Sequence, residues 1–327
     1  MLSKISVVVP FYKDVNTIKA CIESILLQTY TNYELILVDD CGDDGSIDLI
    51  NQIIAANSNI EIRVLHHQYN RGQSAARNTG LANANGDYIF FVDADDTISR
   101  NCLEMHVNRL EKFDADYTDA NYAVLNGRQS TMYTYDDDIV EQPKLAQYAF
   151  ESKIHYAAHN KLYKKNFLID NAIRFIEGII YEDVVWAIHL SLVGNRMATI
   201  SDATYNYIVR TNSTTTAVSV DKQCYQFESW AKVFNSIIDL QKQYGSTHIL
   251  KSIYRWLALY RFRVSLKLLV SSLSYKEQKH YYSLLNIPSI HSNTKGALRL
   301  FYSLPFALFK CIFTLPYRCA VVLLKNK

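Results

Sequence analysis

The chain has 327 residues, of which 49% are hydrophobic and 20% charged, and this excludes a disordered polyelectrolyte. Its six cysteines, at 21, 41, 102, 224, 311 and 319, form no C-x-x-C pair and stand at no zinc-ligand spacing, so a reduced cytoplasmic chain without structural zinc is expected. The net charge of +2 hides a split: residues 1–239 carry 31 acidic and 20 basic side chains, whereas residues 240–327 carry 14 basic ones and a single acid, Glu277. A basic tail on an acidic body points to an anionic partner surface, either nucleic acid or an anionic membrane leaflet.

At the N-terminus, the apolar run in MLSKISVVVPFY is too short for a signal peptide and Pro10 stops it, so the catalytic part is expected to face the cytoplasm. ISVVV (5–9) reads as a buried strand. Val15, Ile18, Ile22 and Ile25 then follow a helical period to about Gln28. ELILV (34–38) is a second strand, followed by a helix that Ser46 can cap, with Ile50, Ile53 and Ile54 inward. EIRVLHH (61–67) is a third strand. A helix with Ala75, Ala76 and Leu81 ends near Gly86, and YIFFV (88–92) is the fourth strand. Strands apolar throughout and separated by helices imply an α/β fold with a mostly parallel sheet covered on both faces. DADYTDANYAV and ATYNYIV read as later strands, YEDVVWAIHLSLV as a helix, and the chain from about 219 as helical. Trp186 and Trp256 sit in helical patterns and are expected in the core.

In open α/β sheets, ligands bind beyond the carboxyl ends of the strands. Three of these ends carry polar residues: Pro10-Phe11-Tyr12, Asp39-Asp40, and Asp93 to Asp96. Like charges crowded at one point cost stability unless a cation sits among them. Oxygen ligands without adjacent Cys or His point to Mn²⁺ or Mg²⁺, ions that keep waters and bridge to substrate phosphates. A metal-bound diphosphate is therefore one reading, and an acidic loop capping a helix is the other. Asp93-Ala94-Asp95-Asp96-Thr97 also fits the nucleophile string of haloacid-dehalogenase-like phosphatases. That family expects its paired-Asp strand downstream, whereas ELILVDD lies upstream.

Four ordered blocks carry a broader resemblance. VVVPFYKDVNTIKACIESILLQTYTNYELILVDDCGDDGS, RGQSAARNTGLANANGDYIFFVDADD, HNKLYKKNFLI and YEDVVW resemble the family-2 inverting glycosyltransferases of the GT-A fold, over residues 3 to about 215. The resemblance implies a nucleotide-sugar-binding catalytic domain over 1–215 and a helical C-terminal region over 216–327. It implies a UDP-sugar donor, a glycan or lipid-linked acceptor and a bacterial polysaccharide setting. Pro10 and Tyr12 would line the base pocket, and Asp40 would accept from the uracil N3–H. Asp93, Ala94 and Asp95 form the D-x-D, with Asp95 a direct metal ligand and Asp93 near the ribose or metal. Arg71 and Arg77 would border the diphosphate, unless one pairs with Asp39 or Asp43. Asp183 resembles the general base, with Glu182 its neighbour and alternate. Asn160 and Lys161 match the acceptor-side block, and Arg210 with Ser213 a segment that closes over the diphosphate. His66, His67 and His159 are read as satisfied or exposed histidines. A non-catalytic nucleotide-sugar-binding protein stays open as the alternative of a different class.

In the segment 296–325, Arg299, Ser303, Lys310, Thr314, Arg318 and Lys325 fall on about one third of a helical circumference, the rest being apolar. Such a helix lies in a lipid headgroup plane with its cations toward phosphate. A helix packed on the protein body is the alternative, and so wide an apolar face argues against nucleic acid. Lys251, Arg255, Arg261, Arg263 and Lys267 extend the same positive surface. The expected location is peripheral, on the inner face of the cell membrane, and a homodimer is an admissible assembly.

Overall fold

The computed structural model describes residues 2–57, 60–125, 134–209, 219–246, 248–286 and 304–313. The chain folds as two compact units, Met1–Gly178 with Glu182–Thr211, and Ile179–Tyr181 with Asn212–Lys327. Arg210, Ser213 and most of the 296–325 segment lie outside the described residues.

The first unit opens with four strands joined by three helices. β1 (Ile5–Phe11), β2 (Tyr33–Asp39) and β4 (Tyr88–Phe91) are apolar because both faces of the sheet are covered. β3 (Glu61–His66) is half-buried, since it forms the sheet edge. These strands pair in parallel in the order β3-β2-β1-β4. α1 (Ile18–Leu26), α2 (Ser46–Ala56) and α3 (Gln73–Ala82) are the connecting helices. Ile18, Ile22 and Ile25 are fully buried, as their spacing requires. Ser46 does not cap α2. It is the first helical residue, and its N–H and Oγ both donate to Asp44 at 3.1 and 2.6 Å. Asp44 also accepts from the Val15 N–H at 2.9 Å, so one carboxylate ties two helix-start turns together.

Past β4 the sheet is mixed. β8 (Leu162–Lys164) runs antiparallel between β4 and β6 (Tyr117–Leu125). β9 (Arg196–Ile208) runs parallel to β6, with a bulge at Ala120–Tyr122. β5 (Thr97–Ile98) and β7 (Ile139–Glu141) are antiparallel to β9. α4 (Cys102–Lys112), α5 (Lys144–Phe150), α6 (Lys165–Asp170) and α7 (Glu182–Val193) complete the unit. The α/β expectation holds, and the sheet is parallel through β3-β2-β1-β4 and again between β6 and β9, with antiparallel pairings elsewhere. β8 is three residues long and returns from a loop, too short to show a period.

α3 packs closely on β1. A Cβ at Gly80 would sit 2.2 Å from Val8 Cγ1, so only glycine permits this approach. At the far end of the strands the buried Glu34 carboxylate accepts from Ser6 Oγ at 2.6 Å, the Asn85 N–H at 2.6 Å and Arg63 at 2.8 Å. Three strands are thereby held in register by one satisfied charge.

The second unit is helical where described. α8 (Val220–Tyr244), α9 (Leu250–Leu269) and α10 (Tyr275–Leu284) bury Phe227, Phe234, Trp256, Leu257 and Leu268. Trp186 and Trp256 are both core residues, 1% and 2% exposed. Residues 306–313 form a further helical segment. No helix among the described residues is long and apolar enough to cross a membrane.

Gly80→Ala should destabilise the first unit by about 1–3 kcal/mol through overpacking. A lower urea midpoint with an unchanged m-value is the expected result. An unchanged midpoint would mean that α3 does not depend on this close approach.

Candidate active site

The strand registers align Phe11 with Asp39 and Asp39 with His66, while Val8 faces Phe91. The turns after β1, β2, β3 and β4 therefore converge at one sheet edge. Gly42 lets two of them touch, since a Cβ there would lie 2.8 Å from the Lys13 backbone nitrogen. Pro10 is buried at the end of β1, and Tyr12 on the following turn is 42% exposed.

Asp40 is nearly buried and ties these turns. Its Oδ1 accepts from His67 Nδ1 at 2.7 Å and from the Arg71 N–H at 2.8 Å, and its Oδ2 accepts from the Gly72 N–H at 2.7 Å. A carboxylate only accepts, so Nδ1 of His67 carries the proton, and Nε2 accepts from Thr79 Oγ1 at 2.9 Å. Two acceptor sites per oxygen leave Asp40 one site on Oδ2 for a further donor. Asp39 accepts from the Gly42 N–H at 3.0 Å and meets His66 at 3.2 Å. The Arg71 side chain pairs with neither Asp39 nor Asp43. It reaches the exposed Glu177 at 3.0 Å.

Arg77, on α3, is 3% exposed and bridges two distant segments. One terminal nitrogen lies 2.7 Å from Asp93, just past β4, and the other 2.8 Å from Glu182, at the start of α7. Its guanidinium carbon stands 5.2 Å from the Phe175 ring centre. Gln73, one helical turn earlier, donates to Asp93 Oδ1 at 3.1 Å. His159 donates from Nδ1 to Asp93 Oδ2 at 3.1 Å, and its ring stacks on Tyr205 with centroids 4.4 Å apart. The Asp93 N–H donates to the Tyr205 hydroxyl at 3.1 Å, and that hydroxyl donates to Asp96 Oδ2 at 2.9 Å. The Ile208 N–H donates to Asp96 Oδ1 at 2.8 Å. Asp95, between them, is half-buried.

Burial disfavours charge on Asp93, yet Arg77 and then His159 hold its carboxyl well below the usual range. Asp96 goes the other way: burial, then the charge of Asp93, pushes it up to about 7. Burial also pushes Glu182 up to about 7 and raises Asp183, with Arg77 pulling against both shifts. Both acids occupy the first turn of α7, where the helix dipole favours negative charge.

The two acceptor-block residues are interior. Asn160, at φ +58°, donates to the Ala120 and Asn121 carbonyls at 2.9 and 3.0 Å and accepts from Thr204 at 2.6 Å, which stabilises the β6 bulge. Lys161 is 2% exposed and donates to the Ala157 carbonyl at 2.7 Å, with Asp119 3.1 Å away. Burial lowers its ammonium, while Asp119 and then Asp183 oppose that shift.

Donor atoms of Asp93, Asp96 and His159 lie within 4.8 Å of one another. Two carboxylates and an imidazole suit a divalent ion such as Mn²⁺, and Asp95 follows Asp93 by two positions on the same turn. The residues present fit such an ion. The structure thus joins Asp93, Arg77, Glu182 and Asp183 in one cluster and Asp40 with Arg71 in another. His159, His67, Gln73 and Tyr205 were not foreseen as partners of these carboxylates. The only signal was that crowded acids need cations or donors, and those donors lie up to 112 residues away.

The family model for glycosyl transferase family 2 matches residues 6–171, a little over half of the chain. Glycosyltransferase GlyA of Streptococcus pneumoniae serotype 4 is 31% identical over 222 residues, 64% of this chain but 31% of that protein's length. Glycosyltransferase GlyG of the same strain is 31% identical over 224 residues, 65% of this chain and 73% of its own. An Escherichia coli relative named UDP-Glc:alpha-D-GlcNAc-diphosphoundecaprenol beta-1,3-glucosyltransferase WfgD is 35% identical over 122 residues, 37% of this chain and 47% of its own. The chain therefore spans about a third of the first of these relatives and about three quarters of the second. In fold it is similar to S. aureus TarS 1-349 in complex with UDP-GlcNAc, at a TM-score of 0.77 and 21% identity, over 97% of this chain and 92% of that one.

Arg77→Met leaves Asp93 and Glu182 buried without their cation and should cost about 3–5 kcal/mol in urea unfolding at neutral pH. A carboxyl raised by folding protonates more readily in the fold than in the unfolded chain. Without Arg77 both carboxyls protonate at higher pH in the variant's fold than in the wild type's, so the deficit should be largest in alkali and shrink as pH falls. Stability equal to wild type would show that the bridge is not a structural tie.

Proposed function

The chain belongs to glycosyl transferase family 2, and on that premise we propose that it moves a sugar from a UDP-sugar to a hydroxyl of a glycan or lipid-linked acceptor, inverting the anomeric centre with the help of Mn²⁺ or Mg²⁺. The observation that carries this reading is the Arg77 bridge, at 2.7 and 2.8 Å, between the strand-end carboxylate Asp93 and the carboxylate pair that begins α7. Donor and base functions then share one cation. Support for the donor comes from the TarS fold, whose crystals hold UDP-GlcNAc, and for a lipid-linked acceptor from the name of WfgD.

Tyr12 is exposed at the sheet edge and offers a ring for a nucleobase to stack on. The remaining acceptor site on Asp40 Oδ2 takes an imide N–H, the donor that uracil presents there. Asp95 with Asp93 would hold the ion, which when bound neutralises charge developing on the leaving diphosphate. Asp183 takes the proton of the acceptor hydroxyl, a step typically worth about 10²–10⁴-fold. Its raised basicity suits that task, since a base with an ordinary aspartate value would hold the proton weakly. Glu182 positions it: Arg77 anchors Glu182, which fixes the first turn of α7. Inversion needs one such base and no second nucleophilic carboxylate. The same reading places the chain as a peripheral protein on the inner face of the cell membrane, where a lipid-linked acceptor would be presented.

Asp95→Asn should abolish the Mn²⁺-dependent rise in melting temperature that UDP produces, because ligand binding stabilises the fold by mass action. Unchanged affinity would move the ion elsewhere. Asp183→Asn should keep that rise and lose transfer; wild-type turnover would relocate the base. The base must be ionised to act, so the acid limb of kcat/KM should lie above the ordinary aspartate value. An acid limb near pH 4 would contradict the assignment. Free phosphate from simple phosphomonoesters would favour a phosphatase, and UDP binding without turnover on any acceptor a binding protein.

A further inference from the structure

We propose that α9 and the helical segment 306–313 together form a docking face for an anionic lipid bilayer. The proposal rests on the location in the preceding reading and not on its chemistry.

On α9, Lys251, Arg255, Leu259, Arg263 and Lys267 recur every fourth residue and all are exposed. Four cations and an aliphatic side chain therefore form one winding stripe from Lys251 to Lys267 on this helix. Arg261 is not part of it. It is 4% exposed, donates from Nε to the Leu285 carbonyl at 3.0 Å and lies over Tyr282. The segment 306–313 sits beside this stripe, because Phe262 of α9 meets Phe309 and Phe313 edge-on at 6.1 and 5.4 Å. Phe306 and Phe309 are buried against Tyr275 and Tyr282. Lys310 turns toward the body as well, donating to Gln278 at 2.9 Å. Lys310 of the stripe read from sequence thus faces inward, and the other members of that stripe lie outside the described residues. Its outer face is Ala307, Leu308, Cys311 and Ile312, with Leu308 and Ile312 48% and 45% exposed.

Two adjacent exposed surfaces, one cationic and one apolar, match the two layers of a membrane interface. Lys and Arg reach headgroup phosphates while their stems cover apolar surface, and small aliphatic side chains enter the acyl boundary. The charge is one-sided: neither α9 nor 306–313 contains Asp or Glu. Glu277, the one acid after residue 239, is held in the capping box of α10, where the Ser274 N–H donates to it at 2.7 Å. A protein partner would equally meet apolar side chains, but a run of cations at helical-turn spacing without interspersed acids suits a continuous sheet of phosphates.

The full chain should co-sediment with vesicles of phosphatidylglycerol and phosphatidylcholine and not with phosphatidylcholine alone, and salt should weaken the binding. Arg255→Glu with Arg263→Glu, and separately Leu308→Asp with Ile312→Asp, should each weaken partitioning about tenfold or more. All four side chains are exposed, so both variants should keep the UDP and Mn²⁺ melting response. Loss of that response in the wild type would count against the reaction and leave the membrane face standing. Wild-type partitioning by both variants, or equal binding to phosphatidylcholine alone, would overturn the proposal. So would self-association in solution without vesicle binding, which would assign the face to a protein.

Discussion

The candidate active site depends on one buried guanidinium. Arg77 stands between Asp93 and Glu182, and among the described residues these acids, with Asp96 and Asp183, gather around it and His159. One guanidinium cannot neutralise four acids. Asp93 sits closest to them and stays ionised, whereas Asp96, Glu182 and Asp183 are driven up by burial. The site is therefore built with surplus negative potential. A divalent ion or a transferred proton relieves that surplus, and both are what the proposed chemistry brings.

The scaffold serves this cluster by close packing. Gly80 lets α3 lie on β1, which carries Arg77 and Gln73 to the end of β4. Tyr205 then links Asp93 to Asp96 through one hydroxyl and supports the His159 ring by stacking. Asp93 and Asp96 are oriented by donors from elements that are far apart in the chain. Precision at the site thus follows from the sheet order, in which β8, β6 and β9 bring the second half of the unit against the first.

The helical unit follows a different logic. On α9 four cations sit outside, while Trp256, Leu257 and the single buried cation Arg261 face inward. Phe306 and Phe309 fasten a short segment to α10, which frees the opposite side of that segment for another surface.

Much of the first unit was legible from residue order. Four strand-like runs, the first three each followed by a helical period, suffice for β1 to β4, because burial leaves a local pattern. The acidic strand ends and the acid pair at the start of α7 were legible for the same reason. What each charged group touches was not. Arg77 and Arg71 look alike in sequence, yet one is a buried bridge and the other meets an exposed glutamate. Asn160 and Lys161 match an acceptor-side block in sequence, and only the fold shows Asn160 bonded to carbonyls at a β-bulge and Lys161 beside the buried Asp119. Residue order alone settled the chemistry available and the elements that carry it, since periodicity is a short-range property. Folding settled which carboxylates share a cation and which side of each helix is left open, since those depend on pairings across tens of residues that no local pattern encodes.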